Sequence, residues 1–173
     1  MTKKFFNPLR FFVAVTVTAQ LFTSCQKDSG GGDDASFFIK AKVDSTEVQF
    51  SGFTNATFTT LPGTSFNLCV IQGQQALNSP VNILSAVITD DSPIAINKEY
   101  SDDIVGGTEQ RIVSYYDNNN NQFSSGFAIS PDVKITLTEI TDTYVAGIFS
   151  GKATSIGSQT VALTEGSFKV KRN

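Results

Sequence analysis

Few residues in this chain are equipped for chemistry, and what is missing narrows the options first. There is no histidine among the 173 residues. Ser-His-Asp and Cys-His catalysis and any imidazole-ligated metal are therefore excluded. Two cysteines are present. Cys69 lies in the apolar run "FNLCVI"; a thiol there packs as a small hydrophobe, and no base is available to make it a nucleophile. Acidic residues come as Asp90-Asp91 and Asp102-Asp103, with Glu109 following. A glycosidase needs two carboxylates across a cleft and calcium needs several oxygen ligands. Neither an EF-hand nor another ligand spacing is present, so these acids read as solvated loop charge. No catalytic residue, metal ligand or cofactor is assigned. The remaining constellation is "YYDNNNNQF". It reads as a hairpin tip, since Asn tolerates left-handed turn geometry. Successive strand residues face opposite sides, so one of Tyr115 and Tyr116 packs while the other faces solvent. With Asp117, Asn118 and Asn119, the outward tyrosine would make a surface for stacking and hydrogen bonding to sugar hydroxyls.

The other chemically informative cysteine is Cys25. Residues 1–10, "MTKKFFNPLR", carry three positive charges, and residues 11–22, "FFVAVTVTAQLF", form a short apolar run before Thr23, Ser24 and Cys25. A membrane-spanning helix needs about 20 mostly apolar residues, so this pattern reads as a secretory signal over 1–24. The segment "LFTSC" resembles the lipobox of bacterial lipoproteins, with Phe22 where Leu is common. The resemblance implies cleavage between Ser24 and Cys25 and acyl chains on Cys25 that hold the mature chain to a lipid bilayer. One acyl chain binds a membrane marginally, whereas two or three on one residue hold firmly.

The residues that follow, "QKDSGGGDD", cannot build a core and read as a flexible tether, so that the lipidated cysteine and tether occupy 25–35. A coil over residues 26–35 spans roughly 17–19 Å. Gln26, Lys27 and Asp28 resemble the short acidic export signal that sends Bacteroidota lipoproteins to the outer face of the outer membrane, although Ser29 interrupts the acidic run. The resemblance implies a cell-surface location, with a periplasm-facing anchor as the alternative. "DST" at Asp44–Thr46 matches the O-glycosylation signal of exported Bacteroidota proteins and marks Ser45 as its acceptor.

Removing the leader takes Lys3, Lys4 and Arg10 with it, so ten basic residues face 16 acidic ones and the mature net charge is −6. That balance argues against nucleic acid or anionic lipid as a partner of the domain. The one basic cluster, "KVKR" at Lys169–Arg172, reads as a solvated strand edge, where lysines discourage pairing.

From residue 36 to 173 the pattern is β. "SFFIKAKVDSTEVQF" reads as two strands around Asp44-Ser45, with Phe37, Ile39, Ala41 and Val43 on one face and Val48 and Phe50 on one face of the return. "SFNLCVI" alternates Phe66, Leu68 and Val70, and "VNILSAVIT" is apolar on both faces like a central strand. In "DVKITLTEI" Val133, Ile135 and Leu137 face one way. Val145 and Phe149 follow, then Val161, Leu163, Phe168 and Val170 around a Gly166 suited to a bulge or bend. Turn clusters separate these runs. The expected fold is all-β, a single antiparallel β-sandwich or partly open barrel of about nine or ten strands.

"FIKAKVDSTEVQF", "VAGIFSGKA" and "LTEGSFKVKR" together resemble a family of small Bacteroidota outer-membrane lipoproteins whose β-sandwich-like domain has no assigned function. The resemblance implies fold and envelope location, and it carries no catalytic residue. The function expected is thus a non-enzymatic binding module on a lipid anchor, its ligand a glycan or an envelope protein. The rival readings are an accessory subunit of an envelope complex, which would show a large exposed apolar patch, and a glycan-active enzyme, which would show paired carboxylates in a cleft.

Overall fold

A computed structural model describes residues 37–77, 82–101, 109–128, 130 and 132–173. The leader, Ser24, Cys25, Gln26, Lys27, Asp28 and the tether lie outside the described residues, as do Asp102 and Asp103. Eleven strands run in chain order: β1 Phe38–Val43, β2 Thr46–Phe50, β3 Phe53–Thr60, β4 Asn67–Gln74, β5 Ile83–Asp90, β6 Glu99–Ser101, β7 Arg111–Tyr116, β8 Gln122–Ser124, β9 Lys134–Ile140, β10 Tyr144–Ser155 and β11 Thr160–Arg172. Among the described residues the one helical element is a 3-10 turn, Ser125–Phe127.

The strands hydrogen-bond in the order β2-β1-β11-β3-β4-β5-β7-β8-β10-β9-β6, and β10 also pairs with β11. That extra pairing closes a ring from β11 through β3, β4, β5, β7 and β8 back to β10, while β1-β2 and β9-β6 extend from it. The long strands β10 and β11 make this possible. β11 pairs with β1 over 163–169 and then, at Lys171 and Arg172, with β3. β10 pairs with β9 over 145–150 and with β8 at Thr154 and Ser155. The all-β, partly open barrel expected from the pattern is what forms, with eleven strands. The β11–β3 pairing is parallel, the one departure from an antiparallel sheet among the described residues.

The two halves pack face to face. A Cβ on Gly73 of β4 would meet Ile39 Cδ1 at 2.8 Å and Phe50 Cβ at 3.0 Å, and one on Gly151 of β10 would meet Val113 Cγ2 at 3.0 Å. Ile39, Ala41, Phe50, Val133, Ile135, Leu137, Val145, Phe149, Val161, Leu163, Phe168 and Val170 all enter the core, as the alternation requires. β4 corrects one expectation. Its inward residues are Cys69, Ile71 and Gly73, while Leu68 and Val70 are half-buried on the other face. The strand is apolar on both sides, so its own pattern does not select a face; its neighbours do.

β11 corrects another. "KVKR" is not an edge, because β11 is bordered by β10 on one side and by β1 and then β3 on the other. Lys169 and Lys171 lie on the outer face, alternating with buried Phe168 and Val170, while half-buried Arg172 falls on the Val170 side with its guanidinium 5.1 Å from the centre of the Phe58 ring. The bulge near Gly166 is present. Thr164 and Glu165 stand opposite the single Ser150, and Glu165 has φ +50°. Gly166 itself is required because a Cβ there would meet the Phe149 ring at 2.7 Å.

Candidate functional site

β7 and β8 form the hairpin that the Tyr-Asn run predicts, with Tyr116 opposite Gln122 and Tyr115 opposite Phe123. Tyr115 points into the core and stacks on Phe123 at 6.0 Å between ring centroids. Burial, with the Asp117 charge added, holds its hydroxyl above the usual tyrosine range. Tyr116 takes the opposite face and is half-buried. Asp117 organises the tip. Its Oδ1 accepts from the amides of Asn119 (2.8 Å) and Asn121 (2.9 Å), and its Oδ2 accepts from Asn121 Nδ2 at 2.8 Å. Partial burial opposes the charged form, but the Asn121 and Asn119 bonds outweigh it and keep the carboxyl below its ordinary range. The turn closes through Asn120, at φ +63°. Asp117 therefore acts on the loop, and the exposed side chains of Asn118 and Asn119 with the outer face of Tyr116 form the solvent-facing surface of the tip.

A second polar assembly closes another part of the molecule. Asp90 ends β5 and Arg111 begins β7, brought together because Ile88 pairs with Arg111. Both are buried, Asp90 at 1% and Arg111 at 6% exposure. Asp90 is thus not the solvated loop charge expected of it, because antiparallel pairing puts a cation beside it. Its Oδ2 accepts from Lys98 Nζ at 2.6 Å and from Arg111 Nη2 at 3.3 Å, and its Oδ1 accepts from the Ser92 amide at 2.9 Å. Burial disfavours the carboxylate, but the Lys98 and Ser92 bonds and the two cationic charges prevail and hold it below the ordinary range. The Asp90 bond in turn raises Lys98. Arg111 also donates to Glu109 Oε2 at 3.1 Å and to the carbonyls of Thr89 and Gln110. Its guanidinium lies 5.1 Å from the centre of the buried Tyr100 ring, with Lys98 at 5.0 Å from the same centre. Tyr100 belongs to β6 and pairs with β9, so the cluster ties the two halves of the sheet together.

Asp90, Asp91 and Glu109 each bring a carboxylate oxygen within 4.8 Å of the others. Two of these three carboxylates are already committed to Arg111 and Lys98. The assembly behaves as a cross-sheet ion network, and nothing in it offers a cation a vacant anionic cage. Beside it Phe58, Thr59, Thr60, Asn67, Leu68, Pro93 and Ile94 line an open groove of about 230 Å³.

The remaining sequence-marked residues are simply placed. Ser45 is exposed in the β1–β2 turn, presented by Asp44, whose φ is +56° and whose Oδ1 accepts from the Ala162 amide at 2.9 Å. Cys69 is fully buried and unpaired, and burial pushes its thiol up to about 12. What sequence reasoning missed is the Asp90–Arg111–Lys98–Tyr100 assembly. Its only sequence signal is a charged residue ending one apolar run and another opening the next. Comparison with protein-family models, curated proteins and solved structures finds no match to this chain.

Proposed function

We propose that this chain is an envelope lipoprotein of the Bacteroidota outer-membrane kind, anchored through acyl chains on Cys25 and exposed at the cell surface. In this reading its β-domain works as a non-enzymatic binding module. The observation that carries it is the order basic segment, short apolar run, "TSC" and Gly-rich tether, with the first strand beginning at Phe38 directly afterwards. Lipid chemistry at Cys25 supplies location, and a cross-braced β-domain supplies a rigid platform close to the bilayer.

Two features support binding over catalysis. The buried carboxylate Asp90 is spent on Lys98, Arg111 and the Ser92 amide, so it is held ionised and occupied, unlike a general acid, which needs a raised pKa. The one described thiol is driven away from the thiolate. The binding surface is Tyr116 with Asn118 and Asn119, and its ligand class is a glycan, recognised by ring stacking and amide hydrogen bonds. An accessory-subunit role would draw on exposed apolar residues, but Phe53, Leu77, Ile96, Phe127, Ile148 and Ile156 include no two on one strand.

The test has two parts. Expressed in a Bacteroidota host, the protein partitions into the detergent phase of a phase-separating detergent, and Cys25→Ala moves it to the aqueous phase. Probed against immobilised envelope and host glycans, it retains a subset, and the Tyr116→Ala/Asn119→Ala variant loses that retention while keeping its thermal transition. Aqueous partition of the unmutated protein would overturn the anchor. Equal retention by the variant would overturn the hairpin as the binding surface.

A further inference from the structure

The outer face of β1, β11 and β10 carries a feature that whole-chain charge conceals. Seven lysines fall within the described residues. Lys42, Lys98, Lys134 and Lys152 each hold a carboxylate, on Glu165, Asp90, Glu99 and Asp132. Lys40, Lys169 and Lys171 hold none among the described residues, and all three point outward from this one face.

Strand register brings them together. Phe38 on β1 pairs with Lys169, Lys40 pairs with Ser167, and Tyr144 on β10 pairs with Lys171. Lys40 and Lys169 are therefore diagonal neighbours, with Cα atoms about 7–8 Å apart. Three apolar groups lie among them. Lys169 Nζ sits 4.3 Å from the centre of the Tyr144 ring, Lys40 Nζ sits 5.9 Å from that of Phe38, and Ile148 is 54% exposed between Ser167 and Thr136. The acids on or beside this face are Glu47, opposite Lys42 on β2, Glu165, which holds Lys42, Glu139, which accepts from the Tyr144 hydroxyl at 2.5 Å, and exposed Asp142. None of them forms an ion pair with Lys40, Lys169 or Lys171, so the three ammonium groups are the unneutralised charges here. Cations around half-buried aromatics suit a phosphate-rich interface, where rings rest at headgroup level and ammonium groups reach the phosphates.

The position of this face selects the partner. Phe38 opens β1, so the patch lies where the chain from Cys25 enters the domain. Read as a flexible tether, residues 26–35 would span roughly 17–19 Å, and a lipid anchor at Cys25 would then keep this end at high effective concentration over the bilayer. We propose that the outer face around Lys40, Lys169 and Lys171, with Phe38, Tyr144 and Ile148, docks on the anionic phosphate headgroups of the membrane to which the chain is anchored. This rests on the lipid-anchor reading. It turns a tethered domain into an oriented one, and it reverses for this face what the net charge of −6 implies for the whole.

Lysine footprinting of the mature lipidated protein tests it. The protein is incorporated into vesicles of phosphatidylcholine, or of phosphatidylcholine with about 30 mol% phosphatidylglycerol. Acylation of each lysine by an amine-reactive ester is then followed by mass spectrometry. Each lysine near an anionic surface is worth roughly a fivefold change in occupancy. Acylation at Lys40, Lys169 and Lys171 therefore slows about fivefold or more on anionic vesicles. Lys42 and Lys152 keep their rates. The protection disappears near 1 M salt, where the screening length is about 3 Å, and on neutral vesicles. Equal rates on both vesicle types overturn the proposal. So does protection on neutral vesicles, which would mean steric shielding, or protection that grows with protein concentration in detergent, which would mean a second copy covers the face. Flotation separates the two claims. A Lys40→Gln/Lys169→Gln/Lys171→Gln variant still floats with vesicles, because flotation reads the anchor while the lysine footprint reads the patch. If the unmutated chain does not float on neutral vesicles, the anchor has failed. The same footprint on chain added to anionic vesicles then decides the patch alone.

Discussion

At the scale of single residues, the most consequential group is Asp90, because three bonds converge on a carboxylate that water barely reaches. Removing one partner of a buried pair leaves the other charged and unsolvated, which costs about 3–5 kcal/mol. Asp90→Ala should destabilise the fold by that order, read as a lowered urea midpoint with an unchanged slope. Asp90→Leu/Arg111→Met should recover most of the loss, since an apolar pair can replace a buried ion pair. The depressed carboxyls of Asp90 and Asp117 also set an acid limit. A carboxyl held below its unfolded value of about 3.9 contributes stability throughout the pH range above that value. The contribution is lost as pH falls through the lower folded pKa. Stability should be flat from neutral pH to about 5 and fall below about 4, and Asp90→Asn should flatten that acid limb; an acid limb of the same depth in Asp90→Asn would show that other groups cause it. Ser167 behaves oppositely. Its buried Oγ has no partner among the described residues, so Ser167→Ala should be neutral or stabilising, by up to about 1 kcal/mol. A drop in the urea midpoint would contradict that.

At the scale of elements, the close crossings of β9, β10 and β11 depend on missing side chains. A Cβ on Gly147 would collide with the Thr136 carbonyl oxygen and with the Phe168 ring. Backbone cannot yield as a side chain does, so Gly147→Ala should cost about 2 kcal/mol or more, visible in thermal unfolding; an unchanged transition would mean the strands separate there easily. Elements also divide by how much sequence reveals of them. β9 is plain from Val133, Ile135 and Leu137 alternating with polar residues, and the β7–β8 hairpin from its Asn tip. The pattern marks no strand at β3, where "FTNATFTT" is β-branched but nearly without alternating apolar residues. Its place is set by pairing with β4 along its whole length. β6 has three residues, too short to carry a period. The ion network is equally hidden, because Lys98 and Arg111 lie 8 and 21 residues from Asp90; the β5–β7 register brings Arg111 to it, and the return of the chain into β6 brings Lys98. The β1–β2 turn raises one further expectation. Ser45 is exposed at its tip, so an intact mass from a Bacteroidota host should carry a glycan increment that Ser45→Ala removes; an identical increment in the variant would place the modification elsewhere.

At the scale of the whole molecule, the proposed function joins an expected leader and tether to a braced β-domain. In that proposal the leader and Cys25 give location, the tether gives proximity to a bilayer, and the domain is what is displayed there. Fold class was legible because core alternation is local in sequence. The lysine face was not, since Lys40 and Lys169 are far apart along the chain and meet only through the β1–β11 register. Net charge summed over the mature chain pointed away from it. The central claim is that the domain stands outside the cell on a lipid anchor at Cys25. Protease treatment of intact cells carrying an epitope after Asn173, beside a Cys25→Ala control, tests it most directly. The account predicts that the epitope is lost from intact cells and that the Cys25→Ala protein leaves the membrane fraction. An epitope protected until the outer membrane is breached, or a Cys25→Ala protein that stays with the membrane, would contradict it.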